Sequence, residues 1–175
     1  YHKTFGGPHA EVNAIADCGT LRVRPEGATM YVTLEPCCHV GKTGPCTQAI
    51  LDARIARIVV AAQDPSAHAN GQGLDQLRRA GVRVEVGLCE EEARLLNAPF
   101  FKHATTGKCW VVLKWAQTID GKLAYVNPSS QRRWITNELS RADAHRLRRR
   151  VGAIVVGINT VLADDPMLTP RDRKS

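Results

Sequence analysis

Short apolar runs alternate with amphipathic segments over the first half of the chain. Residues 28–34 and 57–62 are apolar and rich in β-branched residues, which predicts buried strands, and residues 82–86 alternate as a third strand. The segments around these runs predict helices over residues 10–17, 47–54, 71–81 and 90–97. Strands that alternate with helices predict a largely parallel sheet covered by helices.

The pattern changes near residues 99–107, where a turn predicts a boundary between two domains, 1–103 and 104–175. The chain starts at Tyr1 without a methionine and stops in a polar Arg-Asp-Arg-Lys-Ser sequence. We therefore expect an internal part of a longer protein. Such a part is expected to be inactive or only weakly active when it is alone.

The second domain has its own apolar segments. Residues 109–116 are a continuous apolar run that predicts a strand, and residues 153–156 predict a later one. Asn137 is placed to cap a helix that runs to about Arg150. This arrangement also favours a mixed α/β unit.

Four residues of the first domain carry the candidate chemistry. His9, Cys37 and Cys46 supply one imidazole and two thiolates, a zinc ligand set that leaves the fourth position open, as in catalytic sites. Glu11 follows His9 by two residues and is placed to carry protons to and from a zinc-activated water. The set matches the His-x-Glu and Pro-Cys pattern of zinc deaminases, although here the two cysteines enclose eight residues.

The predicted helices and strand must allow the three ligands to approach one metal ion. Residues two apart in a helix point about 200° apart, so His9 and Glu11 can share a metal only if His9 lies at the helix start, outside regular helical geometry. The preceding Gly-Gly-Pro sequence favours such a start. Cys37 follows a predicted strand, and Cys46 begins a predicted helix, whose free N–H groups favour a thiolate.

Other interpretations of these residues remain open at this point. The simplest alternative is three unrelated side chains in a core. Cys38 is a rival ligand to Cys37, whereas Cys18, Cys89 and Cys109 are predicted to be buried thiols.

Charge and composition narrow the functional class. The chain of 175 residues has a net charge of +7, with an arginine-rich stretch at residues 141–150. This charge favours phosphorylated ligands or marks a solvated surface. A non-catalytic basic zinc module that binds RNA is an alternative, but an aromatic content of 5% gives little support for base stacking. The absence of a signal peptide, a membrane-length apolar run and a disulfide pattern predicts a cytoplasmic location.

The motifs resemble a known family over nearly the whole chain. They are His9–Ala14, Thr33–Cys46 and Asp64-Pro65, followed by Leu113-Lys114, Thr118–Lys122, Trp134–Thr136, Val156–Val161 and Asp164–Arg171. Together they are similar to the bifunctional riboflavin-biosynthesis family, which joins diaminohydroxyphosphoribosylaminopyrimidine deaminase to 5-amino-6-(5-phosphoribosylamino)uracil reductase. The long cysteine spacing differs from that of stand-alone deaminases acting on nucleosides or tRNA, the alternative enzyme class.

The resemblance implies a cytidine-deaminase-like three-layer α/β/α domain, truncated at its N-terminus, followed by the start of a dihydrofolate-reductase-like α/β domain. It implies that Zn²⁺ is bound by the three ligands above and that Glu11 is the proton donor. The implied substrate is 2,5-diamino-6-(5-phosphoribosylamino)pyrimidin-4(3H)-one, which loses ammonia. By position, His2, His39 and Lys42 would contact this substrate, and the alternative for each is a solvated loop cation.

The resemblance also implies a reductase that uses NADPH on the ribose of the deaminated product. By position, the NADP contacts would be Ala116, Trp134, Thr160 and Asp164. The reductase substrate contacts would be Arg148, Leu168 and Arg171. Trp134 and Leu168 could instead be core residues, and Arg148 a solvated one.

The family pattern further implies segments that this sequence does not contain. These are a helix and two strands before Tyr1, with an asparagine that helps to hold the base, and a glycine-rich cofactor loop after the last residue. The resemblance suggests a homo-oligomer, and no membrane or nucleic-acid partner is expected.

Overall fold

The computed structural model describes residues 6–125 and 134–169 of the chain. The division between two compact units lies between Val111 and Val112. The helices and strands are, in order, α1 (Ala10–Thr20), β1 (Thr29–Leu34), α2 (Cys46–Asp52), β2 (Arg57–Ala62), α3 (Gln72–Arg79), β3 (Arg83–Val86), α4 (Glu90–Leu96), α5 (Ala98–Thr106), α6 (Glu138–Arg148) and α7 (Ile158–Asp164).

The three strands of the first unit form a parallel sheet in the order β1-β2-β3. Tyr31 of β1 pairs with Val59 of β2, which in turn pairs with Glu85 of β3. The central strand β2 is buried along all but its first residue. This confirms the predicted parallel sheet and the burial predicted for residues 57–62, because a strand covered on both faces reads as a continuous apolar run. The burial predicted for residues 28–34 is wrong, since β1 alternates exposed and half-buried residues.

Helices cover both faces of this sheet. Ile50 of α2 and Leu77 of α3 are fully buried and belong to one apolar cluster with Val60 of β2. Ala61, the next residue of β2, clusters with Phe101 of α5. Because successive strand residues point to opposite faces, these two clusters lie on opposite sides of the sheet. The first unit is therefore a three-layer α/β/α domain, as predicted.

Two predicted strands of the second unit are wrong. Residues 109–116 and 153–156 pair with no other strand in the part of the chain that the structure describes. Their large side chains are mostly exposed, including Leu113 at 78% and Val155 at 92%. A β-rich sequence becomes a strand only when a neighbouring strand accepts and donates its backbone hydrogen bonds, so residue type alone misled the prediction.

Helix α5 lies where the sequence predicted a boundary and a turn. Its proline, Pro99, lies in the first turn, where it costs no hydrogen bond, and Gly107 ends the helix with φ of +68°. The predicted division after residue 103 falls within this helix. The domain limits 1–103 and 104–175 stay a prediction.

The predicted helix after Asn137 is confirmed as α6. The Asn137 side chain accepts a hydrogen bond from the Ser140 amide at 2.9 Å, as expected of a cap. The helix ends at Arg148, two residues before the predicted end. Helix α7 was not predicted, and the polar loop expected over residues 127–133 lies outside the described residues.

An exposed ion pair joins β2 to β3 and gives a test of the sheet register. The Arg57 guanidinium donates to both carboxylate oxygens of Glu85, at 3.0 and 2.7 Å, and this lowers the pKa of Glu85. A carboxyl whose pKa is lowered by folding stabilises the fold above its unfolded pKa, and this stabilisation is lost as the pH falls through the folded pKa. Glu85→Gln is expected to lower the melting temperature slightly at neutral pH. The difference from wild type should vanish on acidification, and a difference independent of pH would contradict the ion pair.

Candidate metal centre

Three side chains from separate elements converge at one end of the sheet. His9 precedes α1, Cys37 follows β1, and Cys46 is the first residue of α2. The Nδ1 atom of His9 lies 3.5 Å from the sulfur of Cys37 and 3.3 Å from the sulfur of Cys46. The ligand atoms of the three residues all lie within 4.8 Å of one another.

His9 lies outside regular helical geometry, as the sequence required. It is the N-cap of α1, with φ of −69° and ψ of 168°, and its carbonyl accepts the first helical hydrogen bond, from the Asn13 amide at 3.0 Å. The Asn13 side chain donates to the Pro8 carbonyl at 3.2 Å. These contacts fix the extended segment before the helix, so the imidazole faces the two cysteines.

The start of α2 holds Cys37. The Cys46 amide donates to the Cys37 sulfur at 3.3 Å, and the Thr47 amide donates to the Cys37 carbonyl at 3.1 Å. These two amides belong to the first turn of α2, where backbone N–H groups lack helical partners. The Cys46 amide favours a thiolate at Cys37, and the Thr47 amide fixes the backbone of that residue.

The Cys37 and Cys46 side chains shift the pKa of each other in opposite directions. A hydrogen bond from the Cys46 side chain is the main cause that lowers the pKa of Cys37 to about 5, against the opposing effect of burial. The same contact, together with burial, raises the pKa of Cys46. A divalent cation bound between the sulfurs would replace the proton of this hydrogen bond, because metal ligation requires both thiolates.

The donor set fits a zinc ion. Tetrahedral zinc with Zn–S near 2.3 Å and Zn–N near 2.0 Å would separate sulfur from nitrogen by about 3.5 Å. The two observed separations, 3.5 and 3.3 Å, agree with that geometry. Within residues 6–125 and 134–169, no fourth His, Cys, Asp or Glu joins this group, and Cys38 is outside it. The arrangement therefore favours Cys37 over Cys38.

Glu11 lies beside these three residues in the first turn of α1. Burial is the main cause that raises the pKa of its carboxyl, and the nearby Cys37 raises it further, whereas a backbone hydrogen bond and His9 oppose the shift. A carboxyl with a raised pKa is closer to the pH at which it can both accept and donate a proton.

Glu35, at the end of β1, is a buried residue that the sequence reasoning missed. Only 4% of it is exposed. One carboxylate oxygen accepts from the amides of Asp64 (3.2 Å) and Gly71 (2.9 Å), and the other accepts from the Gly73 amide at 2.9 Å. An acidic residue directly after a buried strand and before the first cysteine was the available signal, but its partners lie about 30 to 40 residues away.

The loop between Cys37 and Cys46 carries two predicted substrate residues. The His39 ring lies 6.2 Å, between centroids, from the ring of His68, a residue that the sequence reasoning did not propose. The Lys42 side chain lies against Gly6, since a Cβ at Gly6 would approach Lys42 Cδ to 3.1 Å. His2 lies outside the described residues. The substrate roles of all three stay predictions.

The remaining cysteines are not all buried. Cys18 is half-buried, but Cys89 and Cys109 are exposed, so the prediction of buried thiols is wrong for these two. Cys89 is the N-cap of α4, with φ of +56°, and Cys109 lies in the irregular segment after α5. None of the six cysteines is in a disulfide.

The predicted NADP residues of the second unit lie on separate segments. Ala116 is half-buried, whereas Thr160 and Asp164 are exposed on α7. Trp134 is 60% exposed, and the Arg141 guanidinium lies 5.0 Å from its ring centre. Thr160 and Asp164 are one helical turn apart, whereas Ala116 and Trp134 lie outside this helix. Their NADP roles stay predictions.

The predicted reductase substrate residues are likewise dispersed. Arg148 is half-buried in the last turn of α6, and Leu168 is half-buried after α7. Arg171 lies outside the described residues. The roles of all three stay predictions, as does the cytoplasmic location. Among the described residues, every helix is too short or too polar to cross a lipid bilayer.

Comparison with protein-family models identifies both parts of the chain. Residues 2–62 match the cytidine and deoxycytidylate deaminase zinc-binding region, and residues 109–175 match the RibD C-terminal domain. The fold and the site thus define a deaminase-type zinc-binding domain, followed by a RibD C-terminal domain. This confirms the predicted fold class, a cytidine-deaminase-like domain followed by a dihydrofolate-reductase-like one.

Individual relatives agree with this assignment. The riboflavin biosynthesis protein RibD of Aquifex aeolicus is 53% identical over 171 residues, covering 98% of this chain and 47% of that protein. RibD of Escherichia coli (strain K12) is 44% identical over 171 residues, covering 98% of this chain and 45% of that protein. Over nearly its whole length, the chain is therefore similar to the riboflavin biosynthesis proteins named RibD.

Two solved structures are also similar to this chain over nearly its whole length. The Thermotoga maritima diaminohydroxyphosphoribosylaminopyrimidine deaminase/5-amino-6-(5-phosphoribosylamino)uracil reductase superposes with a TM-score of 0.88 at 40% identity, covering 99% of this chain and 48% of that chain. RibD of Acinetobacter baumannii gives a TM-score of 0.86 at 43% identity, covering 98% of this chain and 47% of that one. The chain therefore spans about half the length of the relatives it matches.

Proposed function

We propose that the first unit is a zinc-dependent deaminase that acts on 2,5-diamino-6-(5-phosphoribosylamino)pyrimidin-4(3H)-one in riboflavin biosynthesis. The observation that carries the proposal is the convergence of His9 Nδ1 with the sulfurs of Cys37 and Cys46, beside the carboxyl of Glu11. The two activities in the name of the Thermotoga maritima relative support the choice of substrate.

The residues of the chain divide the chemistry between holding a metal and moving a proton. His9, Cys37 and Cys46 would hold zinc, which supplies the Lewis acidity that makes a water a nucleophile near neutral pH. Glu11 takes a proton from the attacking water and passes it to the departing amine. The water oxygen becomes bonded to the ring carbon, and the bond from this carbon to the exocyclic amine breaks. One water proton leaves in ammonia and the other ends on the adjacent ring nitrogen, so the products are a ring carbonyl and ammonia.

Cationic side chains on the loop after Cys37 are proposed to bind the ribose phosphate. His39 and Lys42 are on this loop, and His68 lies beside His39. We propose His2 as a further contact. Lysine and protonated histidine both donate hydrogen bonds to phosphate oxygens, and their positive charge favours an anionic ligand.

The second unit is proposed to belong to a reductase that uses NADPH on the ribose side chain of the deaminated product. The match of residues 109–175 to the RibD C-terminal domain supports this proposal. That match also disfavours a stand-alone nucleoside or tRNA deaminase. The RNA-binding module is less favoured because a structural zinc site has no use for a buried carboxyl beside an open ligand position.

Ammonia release tests the proposed substrate. The zinc-loaded protein in its natural full length is incubated with the diaminopyrimidinone ribosylamino phosphate, with cytidine and adenosine as comparison substrates. We expect ammonia from the phosphorylated pyrimidine and little from either nucleoside. Release from cytidine or adenosine alone would contradict the riboflavin assignment and favour the stand-alone deaminase class.

A further inference from the structure

Helix α3 supplies no metal ligand, yet the helix and its N-cap contact a residue close in sequence to each cysteine ligand. The amides of its N-cap Gly71 and of Gly73 donate to the carboxylate of Glu35, two residues before Cys37. One turn further along the helix, Gln76 accepts a hydrogen bond from the Thr47 hydroxyl at 2.9 Å, and Thr47 directly follows Cys46.

We propose that Glu35 and Thr47 are positioning residues, which fix Cys37 and Cys46 relative to each other by anchoring both to α3. The inference rests on the proposed zinc site and deepens it. Both side chains are buried, and Glu35 is outside the group of three ligand residues. Glu35 acts through Cys37, and Thr47 acts through Cys46.

Burial and packing make the Glu35 anchor rigid. Glu35 and Thr47 are 4% and 0% exposed, so water does not compete for their hydrogen bonds. Gly73 packs so closely that a Cβ there would lie 2.3 Å from the Pro36 carbonyl oxygen and 3.2 Å from a Glu35 carboxylate oxygen. The backbone between Glu35 and Cys37 thus packs closely against the start of α3. It cannot shift without breaking these contacts.

The three amides on Glu35 require a carboxylate. A carboxylate accepts at both oxygens, whereas a glutamine amide accepts at one end and only donates at the other. In Glu35→Gln, either the Gly73 amide or the Asp64 and Gly71 amides would face an NH₂ group. A buried amide left without an acceptor is unfavourable, so the loop is expected to move and carry Cys37 with it.

The test measures metal binding rather than stability alone. Wild type, Glu35→Gln and Thr47→Val are loaded with Co²⁺, and the thiolate-to-cobalt charge-transfer and d–d bands are recorded. Zinc affinity is measured by competition with a chromophoric chelator. We expect each variant to lose about 10- to 100-fold in zinc affinity and to show shifted cobalt bands, as supporting partners of metal ligands do.

A stability-matched control separates positioning from general destabilisation. Ile58→Val removes a buried methyl from the core cluster at the start of β2, away from the cysteines. This variant should melt at a lower temperature than wild type yet keep the wild-type cobalt spectrum and zinc affinity. Thr47→Val leaves Glu35 intact, so the inference can be tested even if Glu35→Gln does not fold.

The outcomes distinguish this inference from the function it rests on. Wild-type cobalt bands and zinc affinity in Thr47→Val, and in any folded Glu35→Gln, would overturn the positioning role alone. A wild-type protein that binds neither metal through thiolates would overturn the zinc site and this inference together.

Discussion

Glu11→Gln is expected to remove nearly all ammonia release while leaving the metal in place. A glutamine of the same size cannot take a proton from water or pass one to the departing amine. General acid–base groups of this kind contribute about 10²- to 10⁴-fold to rate, so kcat should fall by that factor. The measurement is ammonia release by the full-length protein, with zinc content determined on the same sample.

A carboxylate on the same helix provides the matched control. Asp17 is an exposed residue of α1, two turns beyond Glu11. Asp17→Asn makes the same chemical change without altering the site, and it should keep wild-type activity. Activity retained in Glu11→Gln would contradict the role of Glu11 as proton carrier.

Cys46→Ser is expected to abolish stable zinc binding. A serine hydroxyl is a poor zinc ligand at neutral pH, and the site would keep only His9 and Cys37. We expect the loss to exceed about 100-fold in affinity, more than the loss of a supporting partner causes. Zinc content after dialysis against a weak chelator should fall from about one per chain to near zero.

The same substitution should also remove stabilisation by the metal. A ligand that binds only the folded state raises stability by mass action, so zinc should raise the melting temperature of wild type but not of Cys46→Ser. Cys18→Ser on α1 is the control, because Cys18 is half-buried and outside the ligand group. Zinc retained in Cys46→Ser but lost in Cys38→Ser would place a thiolate ligand at Cys38.

The first unit was predictable because its signals are local. The run 57–62 is the strand β2 as predicted, and β1, α2, α3 and α4 lie within about two residues of their predicted limits. In β2 the apolar run is buried where it occurs, so pattern and structure agree. In β1 an equally apolar run has only exposed and half-buried residues, so the strand was predicted but its burial was not. The sequence also implied that His9 precedes the helix, because only that placement lets it approach a metal together with Glu11.

The second unit was less predictable because its strand-like segments depend on partners. Residues 109–116 have high β-propensity, but this propensity largely reflects packing against neighbouring strands. Two features of the first unit were also missed. Helix α5 was missed because its apolar residues are few and its ends carry turn-forming residues. Cys89 was predicted to be a core thiol, because its residue type alone does not reveal that it is an exposed N-cap with a positive φ.

The hydrogen bonds that anchor the residues around the metal ligands could not be predicted from the sequence either. Glu35 reads locally as the end of a strand, and its three amide partners come from a loop and a helix much later in the chain. Nothing in the spacing of Glu35, Gly71 and Gly73 indicates that they meet. Ligand residues can be found from motif chemistry, whereas their anchors become visible only when the chain is folded.

X-ray absorption at the zinc edge is the most direct test of a catalytic zinc site on His9, Cys37 and Cys46. The zinc-loaded full-length protein is predicted to show two sulfur ligands near 2.3 Å and one imidazole nitrogen near 2.0 Å, with a single further light atom from solvent. A shell of four protein ligands, such as three sulfurs and one imidazole, would contradict the account because it would describe a closed structural site.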